Sequence, residues 1–295
     1  MSAIIYALTA NAGIAASKAA AAAYTGSASM LAEAVHSGAD CANQLLLLLG
    51  IRQAKRAPTP DHPLGFGKAT YFWSFMVALL LFSMGGAFSI YEGVHKLSSP
   101  EPVESPWIAI AVLGIGVVLE AWSLRGCILE IREKAGDMPL WRYFRDSRES
   151  ELIVVMGEDI AALAGLALAL LAVVLSMVTG NPMWDAIGSI AVGVLLVIVA
   201  IGVGIEVRAL LIGQSAEPAE RTAMEEWLKT RPEIAELYNM ISFQMGTYLF
   251  VAVKARMAER DSAKVLIDQV NAVQDALKVE FPDVRWVFFE PDDKG

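Results

Sequence analysis

Six apolar stretches, each at least as long as the roughly 20 residues that a helical bilayer crossing needs, constrain this chain of 295 residues more than any other feature. They fall at residues 3–24, 29–51, 68–97, 107–131, 152–178 and 183–212. Inside lipid a backbone must satisfy its own hydrogen bonds, so runs of this length read as membrane helices. Hydrophobic residues make up 56% of the chain, more than an ordinary soluble domain carries. Charges concentrate between the runs and beyond residue 215. The formal charge of −9 argues against nucleic acid as a partner. The two cysteines, Cys41 and Cys127, both fall within spans, so no disulfide framework is expected. The start, Met1-Ser2-Ala3, lacks a basic region, which predicts an uncleaved first helix.

Lysine and arginine set the orientation. Arg52, Lys55 and Arg56 follow the second span, and an arginine-rich polar loop at residues 132–150 follows the fourth. The turns after the first and fifth spans have neither residue, and the loop after the third has only Lys96 at its edge. Both termini are therefore expected in the cytoplasm, with the protein in the cell (inner) membrane.

Beyond residue 215 the pattern is that of a small mixed domain. A helix is predicted at residues 218–229, with Ser215 or Glu217 near its start. Strands follow at 238–245, with Ile241, Phe243 and Met245 on one side, and at 249–257, with Val251, Val253, Ala255 and Met257 on one side. Asp261 is positioned to cap a helix whose stripe is Leu266, Val270, Val273, Leu277 and Phe281. A last strand is expected at 285–290. The predicted architecture is an α-helical membrane protein, with a six-helix transmembrane domain at residues 1–213 and a cytoplasmic αββαβ domain at 214–295.

The second span carries the chemistry. Glu33, His36 or Ser37, Asp40, and Asn43 or Gln44 recur every three to four positions and form one helical stripe. His36 and Asp40 are one turn apart, so an imidazole and a carboxylate can converge on one divalent ion. The same pair could instead be a hydrogen-bonded lock between helices. Within a span the desolvation cost weighs against an idle pair. A tight divalent site wants about four ligands, and few other acidic residues lie within spans. Glu158 and Asp159 are adjacent and point about 100° apart, so they cannot face one spot equally well. Glu92 and Glu120 lie deep enough to matter. Glu120 is expected to pair with Arg125 or Lys18, Lys18 to snorkel to the outer interface, and Met156 to pack rather than ligate.

The run Gly26-Ser27-Ala28-Ser29-Met30-Leu31-Ala32-Glu33-Ala34-Val35-His36-Ser37-Gly38-Ala39-Asp40 resembles helix two of the cation diffusion facilitator family. His62-Pro63-Leu64-Gly65-Phe66-Gly67-Lys68 resembles that family's loop before helix three. Tyr91-Glu92-Gly93 and Leu210-Leu211-Ile212-Gly213 fit the ends of helices three and six. The resemblance covers nearly the whole chain and implies a homodimeric divalent-metal/proton antiporter, usually for zinc, with a ferredoxin-like (αββαβ) tail. Four residues before the helix-five aspartate, where most members carry His or Asp, this chain has Val155. Met156-Gly157-Glu158-Asp159-Ile160-Ala161-Ala162 resembles instead the zinc transporter nine-like branch, which has a Glu-Asp pair. The implied ligands are His36, Asp40 and Asp159, with Glu158 or water as the fourth. Phe66 stands where a second loop histidine is common, and Lys264 and Phe289 where the tail often has histidines. The tail is thus expected to dimerise without a metal cluster. Lys68 matches a lysine at the family's dimer interface.

The expected activity is export of a divalent transition metal, most readily zinc, from the cytoplasm in exchange for protons. Metal binding needs neutral His36 and ionised Asp40 and Asp159, so metal and protons compete for one site. No phosphate-binding glycine loop is present, and neither enzyme activity nor a cofactor is expected beyond the transported ion. Iron or manganese as substrate is the close alternative, because the ligands are oxygen-rich and sulphur-free. A non-transporting membrane sensor or scaffold is the alternative from another class.

Overall fold

The computed structural model describes residues 2–25, 28–98, 106–136, 138–258 and 261–294, with backbone alone for residues 25, 28–33, 35, 36 and 39. It divides into two compact units. One comprises Met1–Arg52, Thr70–Arg145 and Ser150–Arg208; the other comprises Gln53–Ala69, Asp146–Glu149 and Ala209–Gly295.

The first unit is helical. Helices α1 (Ser2–Thr25) and α2 (Ala28–Ala54) are followed by one continuous helical run, Ala69–Ser98. That run is α3 (Ala69–Leu80), a π-helical segment (Leu81–Ala87) and α4 (Phe88–Ser98). Then come α5 (Pro106–Ala135), the short α6 (Leu140–Asp146), α7 (Ser150–Thr179) and α8 (Met183–Ile212). Among the described residues four helical runs are long and apolar enough to cross a membrane: Ala69–Ser98, Pro106–Ala135, Ser150–Thr179 and Met183–Ile212. The Ala-rich α1 and the polar-striped α2 are long helices of the same unit but do not belong to that set.

Two features depart from the expected helices. In the π-helical segment the Phe88 N–H reaches Ser83 O, five residues back, so the helix is one residue wider per turn there. The loop expected at 132–150 is shorter, because α5 runs on to Ala135 and α6 forms within it. Tyr143, Leu140 and Phe144 pack α6 into the core, and burial on one face is enough to fold so short a helix.

The core gathers Ile4 and Ala7 of α1, Leu47 of α2, Val77 of α3, Cys127 and Ile131 of α5, Val155 and Met156 of α7, and Val203 and Val207 of α8. Met156 is 3% exposed and packs, as expected. The first turn of α1 is satisfied from α5: Glu130 Oε2 accepts the Ala3 N–H at 2.7 Å and also the Ser2 hydroxyl.

In the second unit, α9 (Pro218–Lys229) precedes β1 (Ile234–Met245), β2 (Tyr248–Met257), α10 (Ala263–Glu280) and β3 (Val284–Pro291). The sheet order is β1-β2-β3, with β1 antiparallel and β3 parallel to the central β2. The parallel pair needs a crossover, which α10 supplies. Val251, Val253, Ala255 and Met257 alternate inward from β2 against Met224 and Leu228 of α9 and Val273 and Leu277 of α10. Two details differ from the sequence reading. Ser262, not Asp261, caps α10; its backbone is extended and its hydroxyl accepts from Val265 N at 3.3 Å. On β1 the core-facing residues are Met240, Ser242 and Gln244, and Ile241 is 56% exposed on the open face. An irregularity between Leu237 and Asn239 adjusts the register upstream of these residues.

The His62–Lys68 loop belongs to this unit, and its glycines have separate reasons. Gly65 has φ +80, a left-handed conformation. Gly67 lies against the β1–β2 turn, where an added Cβ would sit 2.0 Å from Met245 O. Gly67→Ala is therefore expected to force the loop off the turn and destabilise the unit by about 1–3 kcal/mol. Hydrogen exchange should show faster exchange in residues 62–68 and 244–248, with the long helices unchanged. Arg148 ties two further segments of this unit. It is 8% exposed, and its guanidinium donates to Ser215 O and Asp146 O, each at 2.8 Å.

Candidate metal centre

The ionisable residues of the sequence reading sit on α2, α5 and α7. The α2 backbone puts positions 36, 40 and 44 on one face. The His36 side chain lies outside the described residues. Asp40 is half-buried. On α7, Asp159 is 2% exposed and Glu158 is 6% exposed. Ser123 of α5 donates from Oγ to Asp159 Oδ2 at 2.9 Å. Glu158 faces different partners: Gln44 Nε2 donates to its Oε2 at 2.6 Å, and Asn43 also bonds it. Adjacent positions on one helix thus serve different neighbours, as the 100° offset requires.

Glu158 lies within electrostatic range of Asp40, Asp159 and Glu120. Glu120 is 5% exposed and within range of Asp159, Asp40 and Lys18. Of the two expected partners of Glu120, Lys18 is therefore the one nearby. Lys18, expected to snorkel outward, is only 9% exposed, because the neighbouring helices cover it. This gathering of carboxylates in an apolar helical unit is costly unless a cation or protons neutralise it. Among the described residues no three His, Cys, Asp or Glu side chains converge closely enough to hold a metal ion.

The other candidates are placed elsewhere. Glu92 pairs with Lys96 at 3.2 Å, and Lys96 reaches Asp185 of α8 at 3.1 Å, so Glu92 serves an ion-pair cluster at one end of α4. Lys68 donates to Leu211 O of its own chain at 3.3 Å and lies 4.4 Å from the Phe243 ring centroid. Burial pulls its pKa below the usual lysine range. His62 stacks on Phe66 with centroids 4.4 Å apart, and Arg56 lies 5.0 Å from the same ring. Phe289 is partly buried against the tail's core. Sequence reasoning gave no role to Ser123 and none beyond the stripe to Asn43 and Gln44. Ser123 is a polar residue in an apolar span, but such a serine commonly bonds its own helix backbone.

Residues 4–212 match the cation efflux transmembrane domain. The chain belongs to the cation efflux family. A multi-pass membrane protein of this family accounts for the apolar helices. The chain is 38% identical over 225 residues to the Xenopus laevis protein named proton-coupled zinc antiporter SLC30A9, mitochondrial, covering 76% of this chain and 40% of that one. The human protein of that name is 35% identical over the same shares. Metal tolerance protein C4 of Arabidopsis thaliana is 35% identical over 74% of this chain and 48% of its own length. The match thus spans less than half of each of these relatives. A cation-efflux pump, FieF, of Cronobacter sakazakii is 25% identical over 88% of this chain and 81% of its own. The cation efflux match covers all of α2 and α7, and with them Asp40, Glu158 and Asp159.

Proposed function

We propose that this cation efflux protein exports a divalent transition metal, zinc first, from the cytoplasm in exchange for protons. The observation that carries the reading is the set of buried carboxylates around Asp40 and Asp159 on membrane helices of a cation efflux domain. Such groups hold either a divalent cation or protons, and exchanging one for the other removes the charge imbalance in both states. His36, Asp40 and Asp159 are the ligands in this reading and carry the exchanged protons, with Glu158 or water completing the coordination. The zinc assignment draws on the zinc antiporters that the chain resembles. Iron and manganese fit the same oxygen-rich ligand set.

The protein has six spans in this reading, with residues 1–213 forming the transport domain and 214–295 a cytoplasmic ferredoxin-like domain. Both termini are cytoplasmic, in the cell (inner) membrane, with Arg52, Lys55, Arg56 and the 132–150 arginines on that side. It works as a homodimer, needs no cofactor and catalyses no covalent reaction. Pairing of tails is supported by the open sheet face, where Ile241 and Phe288 are 56% and 58% exposed and Phe250 stacks on Phe288. Lys68 sits at the membrane end of this dimer in the proposal.

Uptake into proteoliposomes from a panel of zinc, iron and manganese tests the reading. Zinc should enter fastest. A purified dimer that binds metal yet moves none would favour a sensor or scaffold.

A further inference from the structure

Gln44 is fully buried on α2, one turn beyond Asp40, and its amide bonds Glu158, the residue beside Asp159 on α7. A single contact is thus made one turn from one proposed ligand and one residue from another. Resting on the transport reading above, we infer that Gln44 is a positioning residue: through Glu158 it sets the register of α2 against α7, and so the separation of Asp40 and Asp159. In this inference Glu158, whose Oε2 is held by the Gln44 amide, acts through α2 rather than on the cation, and the fourth place on the cation goes to water.

The geometry supports a paired role for these two side chains. Gln44 Oε1 and Glu158 Oε1 are both buried and without a hydrogen-bond partner among the described residues. A side-by-side amide and carboxyl joined through one N–H···O bond leave one such oxygen on each member. Asn43 shares the load, and among the described residues both hydrogen-bond partners of Glu158 come from α2.

The test uses the full-length protein, with the zinc KM of uptake measured in proteoliposomes and zinc Kd by calorimetry on the purified dimer. Gln44→Leu should raise both constants about 10–100-fold, the range for losing a group that orients a metal ligand, with a smaller change in maximal rate. Gln44→Glu should do at least as much damage, since it sets two carboxylates face to face. Adding Glu158→Gln to Gln44→Glu rebuilds the amide–carboxylate bond with the roles exchanged, and should recover most of the lost affinity. A merely structural bond would change the melting temperature without this pattern in KM and Kd. The inference is overturned if Gln44→Leu leaves both constants at wild-type values. It is equally overturned if the exchanged pair is no better than Gln44→Glu alone, which would make the charge at position 158 a ligand. Should Gln44→Leu fail to fold, the exchange experiment decides by itself. Wild-type protein that moves no metal would sink the transport reading instead, and the Kd series would still judge the inference.

Discussion

Asp159→Asn is expected to reduce zinc transport by more than about 100-fold, beyond the 10–100-fold cost of losing an outer-shell partner. The substitution keeps the shape of the side chain, and its carbonyl oxygen can still accept from Ser123 Oγ, which bonds Asp159 at 2.9 Å. What it removes is the negative charge. A divalent ion inside an apolar unit needs anionic ligands to offset the loss of its hydration shell, and a neutral amide supplies a weak dipole in their place. Removing a buried charge can also stabilise the fold, so the melting temperature should hold or rise while activity disappears. Uptake at matched protein density, with the melting temperature recorded beside it, separates the two effects. Transport within a few-fold of wild type would remove Asp159 from the ligand set.

The second large effect concerns packing. Along α4, the π-helical segment and α8, backbones approach through glycine. A Cβ on Gly93 would lie 2.8 Å from Ile190 N and 2.9 Å from Ala186 O. One on Gly193 would lie 2.7 Å from Ile90 N and 2.8 Å from Gly86 O, and one on Gly86 would lie 3.0 Å from Val197 N. These neighbours are backbone atoms, which cannot rotate away. Gly193→Leu therefore has to part the two helices along this seam. Overpacking of this kind typically costs about 1–3 kcal/mol, and a side chain forced against backbone belongs at or above the upper end. We expect little or no monodisperse protein from Gly193→Leu. Gly202, on the same helix, has nothing within 4 Å of an added Cβ, so Gly202→Leu should leave yield and melting temperature unchanged. Equal tolerance at both positions would show that the seam is not tight.

The long helices were legible because an apolar run of that length has no alternative backbone structure in lipid. The central strand of the tail was equally plain, since Val251, Val253, Ala255 and Met257 alternate without interruption. Local sequence was a weaker guide wherever tertiary contacts choose between near-equal options. Ser262 and Asp261 are both good caps, and the extended backbone at Ser262 decides. Ile241 reads as a core residue by type, but β1 turns its neighbours Met240 and Ser242 inward. α6 looks like loop in the sequence because seven residues carry little periodic signal, and its fold comes from burying Tyr143. In the site, Asp159 and Glu158 stood out because ionisable groups are rare within spans. Their division of labour did not, since adjacency in sequence shows that they diverge but not which helix each one meets. Ser123 and Gln44 needed the packing of α5 and α2 on α7 to acquire a role.

The central claim is that metal and protons exchange at one site. It is tested most directly by zinc accumulation in proteoliposomes against an imposed pH gradient. Vesicles with an acidic lumen, holding the same zinc concentration inside and out, should take up zinc above the bath level while the lumen alkalinises, and a protonophore should abolish the accumulation. Zinc that only equilibrates, or accumulates without any change in lumenal pH, would contradict proton-coupled exchange.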